Sequence, residues 1–567
     1  MADLETMGLL ADDVPTPEGW KLLEPHRVHN AVIMAAGVSS RFVPFSYELP
    51  KGLLPVRGEV QIERQIRQLR EAGIMDITVV VGYLADRFRY LADEFGVRIV
   101  ENPDYKVRNN NSTLWHVREL LGNTYICSSD NYFTDNPFTT FVRGAYYASQ
   151  YVEGPTDEWC LTISSDDMIE GVRVGGSDSW IMLGHVFFDE AFSEHFRSIL
   201  EQEYFRPETA GKLWEAIFAE HLPELRMSVR RFPSGVIHEF DSVDEVEAFD
   251  PAFLDTVPST IIDNIVGVLG CARREVHDFS ALSEGLTNLS FHFSVGDHEY
   301  VYRHPGLGTD KMIDRANETK ALLLARELGL DHTFIHEDEK TGWKLSHFIP
   351  NAHSVDPSDP SELQGAMELA RRLHESGAVL ERSFDFYVEG QKYEALMGPG
   401  DLEAVPGYTE LREKVRTIKE YAVADAFPVC LNHNDFFPLN ILVDEDGGLT
   451  LIDWEYAGMS DITSDLATFT VCAQLGDDTA EEALGHYLGR TPCSADVRHF
   501  WAYVALAGWC WYVWALAKEA EGDDIGEWRE IYHRYAASNV DRVLAWYRAT
   551  SDSGDDTAQR SVELRSA

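Results

Sequence analysis

LNHNDFFPLNILVDEDGGLTLIDWE, residues 431–455, places three polar side chains at fixed intervals around an apolar hairpin. Asp435 is followed five positions later by Asn440, and NILVDEDGGLTLID reads as two short strands joined by a glycine turn, with Asp453 close behind. Two carboxylates and an amide held at such intervals can be gathered for chemistry at one end of the hairpin. Polar residues in such a stretch also serve as turns and caps. Agreement in both the spacing and the intervening apolar strand favours the chemical reading.

The spacing resembles the Asp-x₄-Asn loop and following metal aspartate of protein-kinase-like phosphotransferases. By that resemblance Asp435 is the base and Asn440 and Asp453 hold Mg²⁺. An ATP-binding lobe should precede the loop. LSEGLTNLSFHFSV offers Gly285, Thr287 and Asn288 in the turn before a strand, which departs from the protein-kinase glycine pattern. A Gly-Asp turn leads to HEYVYRH, where Arg303 stands at the place of the protein-kinase lysine and Glu318, in DRANETKALLLAREL, can pair with it. Arginine is permanently charged and still engages phosphate oxygens. With GLGTDKMIDRANE, these features resemble the choline/ethanolamine kinase family over residues 278–520.

Further along, GWCWYVWALAKEA sets Trp509, Trp511 and Trp514 on a predicted helix, with Trp511 and Trp514 three apart on one face. An aromatic stripe in a helix is more often core. Choline kinases resemble this segment in a W-x-x-W helix that builds the choline pocket with the tyrosine at the place of Tyr456. Glu455 and Asp465 could add negative charge, and Asp465 is expected to brace the catalytic loop.

The other half of the chain opens with RVHNAVIMAAGVSSRFVPFSYELPKGLLPV, residues 27–56. Small residues after a strand, Ala36, Gly37 and Ser39 among them, let backbone N–H groups approach an anion, and Arg41 and Lys51 add positive charge around it. The run resembles the signature loop of the sugar-nucleotide and related nucleotidyltransferases. That family uses the two cations to hold a triphosphate and to stabilise charge as pyrophosphate leaves. In CSSDNYF, Asp130 ends an apolar strand, and Asp241 lies in HEFDSVDEV. Carboxylates at such positions hold Mg²⁺ between nucleotide and acceptor phosphates in these enzymes.

NPDYKVRNNNSTLWHV with SSDNYF resembles the phosphocholine cytidylyltransferase branch, in which the segment at Asn110 and Ser112 lies close to the nucleotide. This resemblance covers residues 27–250. A trimethylammonium group is recognised by aromatic faces and carboxylates, because it donates no conventional hydrogen bond. Tyr132, Trp159, Trp180 and Trp214 are the available rings, each individually more often a core or edge aromatic.

Alternating strands and amphipathic helices up to residue 130 predict an α/β unit with a mostly parallel sheet, and the resemblance implies that it is a Rossmann-like α/β nucleotidyltransferase domain with a mostly parallel mixed sheet. An α+β protein-kinase-like domain of the choline kinase/aminoglycoside phosphotransferase type should follow it. We place an N-terminal extension at 1–26, the nucleotidyltransferase domain at 27–254, the kinase-like domain at 255–550 and a disordered tail at 551–567.

A net charge of −47 over 567 residues argues against generic binding to nucleic acid or anionic membrane and leaves anionic substrates dependent on a few local cations. No run approaches the roughly 18 to 20 uninterrupted apolar residues of a membrane span. The opening residues lack a leader pattern, so a cytoplasmic protein without membrane insertion is expected. The seven cysteines show no metal or redox spacing. The sequence says nothing of oligomeric state. It predicts a bifunctional enzyme that makes CDP-choline from choline, ATP and CTP through phosphocholine, with Mg²⁺ in both domains. Ethanolamine, phosphoethanolamine or an aminophosphonate as substrate, aminoglycoside phosphorylation, and a non-catalytic binding role for one half remain as alternatives.

Overall fold

Strand β1 (Asn30–Ala35) is the axis of a seven-stranded sheet. The computed structural model describes residues 4–5, 7–12, 14–282, 289–306, 314–398, 400–522 and 525–553. The chain divides into two units, 1–281 and 282–567.

In the first unit β1 is followed by helix α1 (Gln61–Glu71), β2 (Asp76–Val81), β3 (Arg98–Glu101), β4 (Thr124–Ser128) and the short β5 (Asn131–Phe133). A long hairpin, β6 (Tyr146–Ile163) and β7 (Ile169–Phe188), precedes β8 (Ser228–Arg231) and β9 (Ile237–Glu239). The sheet order is β8-β6-β7-β4-β1-β2-β3. Strands β4, β1, β2 and β3 are parallel, and β7 runs antiparallel beside β4. The run DITVVV is buried at every position after Asp76, as suits a strand covered on both faces. Ile62, Ile66 and Leu69 of α1 recur at helical spacing and are fully buried against it. The order of the parallel strands reverses about β1. A crevice therefore opens beyond the C-terminal ends of β1 and β4.

The second unit carries β10 (Leu289–Val295), β11 (His298–His304), helix α2 (Arg315–Glu327), β12 (Phe334–Glu337) and β13 (Lys344–His347). Their spatial order is β10-β11-β13-β12, with every pairing antiparallel. Then come β14 (Val429–Asn432), the hairpin β15 (Ile441–Val443) and β16 (Leu449–Leu451), and β17 (Gly458–Asp461). Helices α3 (Ser464–Cys472), α4 (Ser494–Ala520) and α5 (Trp528–Ser553) close the unit.

Helix α4 is the one described helix long and apolar enough to cross a membrane by length and composition, and 94% of that apolar window is buried inside the protein. It is the core helix of its unit. All seven cysteines are free.

The boundary falls after Ala281, in the strand Val276–Leu282, and not near residue 255. The acidic, proline-bearing stretch before it resembles a linker, yet its apolar residues Phe253, Val257, Ile261 and Ile265 are buried. Phe253 meets Phe45 edge-on at 5.2 Å, and Glu48 accepts from the Thr260 N–H at 2.8 Å at the start of the helix Thr260–Leu269. A carboxylate there satisfies otherwise unpaired helix N–H groups. Near the other end, α5 continues to Ser553, past the start of the expected tail.

His499 ties α4 to the loop before β14 and to the end of β17: Nδ1 lies 3.0 Å from Asp425 and Nε2 3.1 Å from Asp461. Burial opposes its charge, but the two carboxylates prevail and hold its pKa above the ordinary 6.5. The raised value means that this contribution is fully present below about pH 6.5 and is lost as pH rises through the folded pKa. Thermal unfolding of the second unit, followed by calorimetry from pH 6 to 9, should show falling stability over that rise. His499→Gln should flatten the dependence.

Candidate active sites

In the first unit the crevice is a cavity of about 510 Å³, lined by Ala36, Gly37, Ser39, Lys51, Asn110, Ser112 and Asp130, with Asn102, Tyr105 and Arg108. The backbone after β1 turns with Ser39 at φ +55°, in the left-handed region. Lys51 is buried, and its Nζ lies 2.7 Å from Asp130 Oδ2. Gly52 permits this approach, because a Cβ there would stand 2.7 Å from the Ser129 side chain. Burial works against the Lys51 charge, yet Asp130, Glu239 and Asp241 raise its pKa.

Strands β5 and β9 pair Asn131 with Glu239, which brings the two predicted metal aspartates, one flanking each strand, to the same lysine. Arg41 is exposed and pairs with Asp241 at 3.0 Å. Asp130 and Asp241 offer hard-oxygen carboxylates of the kind Mg²⁺ takes, whereas burial, with Asp130 beside it, pushes the Glu239 carboxyl up to about 8. The Asn110 amide is fixed in orientation: Oδ1 accepts from the Trp214 N–H at 2.7 Å, and Nδ2 donates to Glu215 at 3.1 Å. Burial pushes the Glu215 carboxyl up to about 7.

The aromatic cage expected in this unit is not assembled. Tyr132 is buried, meets Phe249 edge-on at 5.3 Å and has the Arg64 guanidinium 4.8 Å from its ring, so its face already holds a cation. Trp180 meets Tyr151 and the Arg231 guanidinium, Trp159 packs on the apolar cluster beneath the long hairpin, and Trp214 stacks on Tyr147 inside that cluster. None of the four lines the cavity.

In the second unit β11 presents Arg303 and α2 presents Glu318, and the two form a buried ion pair. Arg303 Nη1 also donates to Asp453 at 2.5 Å and to Glu455 at 3.3 Å. Lys344 on β13, directly opposite Arg303 in register, donates to Asp453 at 3.4 Å. Burial alone would raise Asp453, but Lys344 and Arg303 hold it down at about 2. Glu337 is raised to about 8, first by burial and then by Glu318. Asp453 has φ +67°, a left-handed backbone that costs energy in a non-glycine residue.

Asn440 Nδ2 donates to Asp435 Oδ2 at 2.9 Å, which leaves the amide oxygen of Asn440 for another partner. Burial and the neighbouring Asp453 push Asp435 up to about 7. The Asn440 amide oxygen and the partly exposed Asp453 carboxylate are each hard-oxygen donors of the kind Mg²⁺ takes. Asp465 does brace the loop, accepting from the His433 N–H at 3.0 Å and the Asn434 N–H at 2.6 Å and meeting His374 Nε2 at 2.9 Å.

Trp511 stands edge-on to Tyr456 at 5.5 Å and to Trp514 at 6.3 Å, and the buried indole N–H groups of Trp511 and Trp514 have no acceptor among the described residues. Trp509 belongs to the core, stacked on Tyr387 at 5.1 Å. The expected Gly285, Thr287 and Asn288 lie outside the described residues.

Residues 31–148 match the MobA-like NTP transferase domain family, and residues 278–502 match the phosphotransferase enzyme family. A choline-phosphate cytidylyltransferase of Streptococcus pneumoniae is 34% identical over 215 residues, spanning 38% of this chain and 94% of that protein. A 2-aminoethylphosphonate cytidylyltransferase of Lancefieldella rimae is 32% identical over 229 residues, spanning 40% of this chain and 93% of that protein. The second unit is similar to the crystal structure of choline kinase LicA from Streptococcus pneumoniae at 24% identity, with a TM-score of 0.43, covering 51% of this chain and 98% of that one. Through its first part the chain belongs to the MobA-like nucleotidyltransferases, and its second part carries the match to the phosphotransferase enzyme family.

Glu239, Glu215 and Lys344 escaped the sequence reading. Glu239 was legible only as the neighbour of Asp241. A lone lysine in the strand KLSH was the single trace of Lys344.

Asp465 is fully buried and satisfies two backbone donors, so Asp465→Ala should cost the second unit about 3 kcal/mol by denaturant unfolding, with loss of phosphotransfer. Nucleotidyl transfer should be unaffected.

Proposed function

We propose that this chain is a bifunctional enzyme that makes CDP-choline. In the second unit the choline hydroxyl, losing its proton to Asp435, attacks the γ-phosphorus of ATP, and ADP leaves with the electrons of the broken P–O bond. In the first unit a phosphate oxygen of phosphocholine attacks the α-phosphorus of CTP and pyrophosphate leaves, with Lys51 and Arg41 countering the charge on the phosphates. Mg²⁺, when bound, offsets phosphate charge in each site. Asp130 and Asp241 would hold it in the first, and Asn440 and Asp453 in the second.

The observation that carries the reading is that one chain holds both Lys51 among three carboxylates and Asp435 beside Asn440 and Asp453. The product of one site is then the acceptor of the other. Support for choline comes from the perpendicular rings of Tyr456, Trp511 and Trp514, which suit a quaternary ammonium that needs no hydrogen-bond acceptor. It also comes from the 34% identity to a choline-phosphate cytidylyltransferase.

Incubation of the full chain with choline, ATP, CTP and Mg²⁺, followed by phosphorus NMR, should show phosphocholine and then CDP-choline. Lys51→Ala should stop the second step, by 10²-fold or about 2.7 kcal/mol, and leave the first. Asp435→Asn should do the reverse. Survival of cytidylyl transfer in Lys51→Ala would refute the first assignment.

A second reading rests on the 32% identity to a 2-aminoethylphosphonate cytidylyltransferase and on the fact that Tyr132, Trp159, Trp180 and Trp214 all lie outside the first site's cavity. There the carboxylates would accept hydrogen bonds from a primary ammonium. Comparing kcat/KM for phosphocholine and 2-aminoethylphosphonate, and for choline and ethanolamine, decides between them. The choline reading expects at least a tenfold preference for the quaternary amine at each site.

A further inference from the structure

We propose that Lys344 is the mobile phosphate-binding cation of the second unit: its ammonium leaves Asp453 when a metal–nucleotide complex takes that carboxylate and moves onto the nucleotide's phosphate chain. The inference rests on the kinase reading above and assigns a residue that no motif singled out.

Arg303 and Lys344 lie directly opposite one another on adjacent antiparallel strands, so their side chains enter the same space. They are not equivalent there. Arg303 uses both guanidinium arms, Nη2 on Glu318 and Nη1 on Asp453 and Glu455. When metal takes Asp453, two carboxylates still hold the planar fork. Arg303 is therefore built to stay.

Lys344 has a single hydrogen bond among the described residues, to Asp453 at 3.4 Å. Glu318 lies 3.8 Å away, beyond hydrogen-bond reach, and is already engaged by Arg303 and Arg315. Loss of Asp453 to a metal would take away the ammonium's one hydrogen-bond acceptor and leave it only the more distant Glu318, which two arginines already share, and that is unfavourable for a buried charge. The lysine stem is flexible and its three donors rotate freely, so the nearest new anion, a phosphate oxygen on the same metal, would be its natural partner. The Asp453 side chain is 28% exposed and that of Lys344 10%, which places the opening on the carboxylate's side of the pair. In a chain of net charge −47, with carboxylates crowding this cluster, an anionic phosphate chain needs such a cation.

The test uses the full chain with Mg²⁺ and calorimetric titration of adenosine, ADP and ATP. Lys344→Met should weaken ADP and ATP binding at least tenfold and change adenosine binding less than twofold, and Lys344→Arg should restore most of the loss. Unchanged ADP binding, or an equal loss for adenosine, would overturn the proposal, since a purely structural counter-ion makes no such distinction.

Because Lys344→Met removes a buried charge and can unfold the unit, the unsubstituted chain supplies an independent measurement. An acyl phosphate of ATP places its reactive carbonyl at the end of the phosphate chain. Attack by a nearby lysine Nζ forms an amide and releases ATP and a proton. Peptide mass spectrometry should find the acyl group on Lys344 and its suppression by excess ATP. A chain that binds ATP but is not acylated at Lys344 would refute the inference alone, whereas a chain that binds no ATP would refute the kinase reading beneath it.

Discussion

A buried cation pressed against a carboxylate is the constraint around which each site is arranged. Lys51 lies 2.7 Å from Asp130 in the first unit, and Arg303 and Lys344 enclose Asp453 in the second. Neither charge would be tolerated alone in a protein interior, because desolvating an unpaired ion costs several kcal/mol. The pairing gathers a cation and a carboxylate at one point, where under the proposed function a phosphate and a metal would meet. The parts that position them follow from this. Gly52 lets Lys51 reach Ser129 and Asp130, the β5–β9 pairing delivers Asp241, and the opposition of β11 and β13 aligns Arg303 with Lys344.

The same principle makes an acidic chain compatible with anionic substrates. With a net charge of −47, long-range attraction favours cations, and a nucleotide gains only from charges close to it. The cations that serve are few, and the buried ones are pre-organised by carboxylates. Under the proposed function, these carboxylates would hold the metal that accompanies a nucleotide, and the cations paired with them would then be free to turn to its phosphates. The energetic logic is exchange of partners, with little net charge brought into the interior.

Much of this was legible in the sequence because it is carried by local spacing. The Asp435–Asn440–Asp453 loop and the AAGVSSR…PKG run each fix backbone geometry within a few residues of the reacting groups. Arg303, Glu318 and Asp465 were legible for the same reason, through the strand or helix that precedes or follows. What was not legible depends on long-range packing. The tertiary fold places the Arg64 guanidinium on Tyr132 and draws Trp214 into the core, so rings with the right chemistry were unavailable for a cage. Lys344 acquires meaning only through strand register, and Glu215 only through its contact with Asn110, more than a hundred residues earlier. The boundary falls at residue 281 and was expected near 255, because acidic composition hid a buried apolar face.

The most direct test of the exchange of partners is a crystal structure of the chain with Mg²⁺ and non-hydrolysable analogues of both nucleotides. The account predicts that the Lys51–Asp130 and Lys344–Asp453 separations open beyond about 4 Å, the limit of an ion pair, with each ammonium on a phosphate oxygen and each carboxylate on metal. Both contacts intact beside fully bound nucleotides would contradict it.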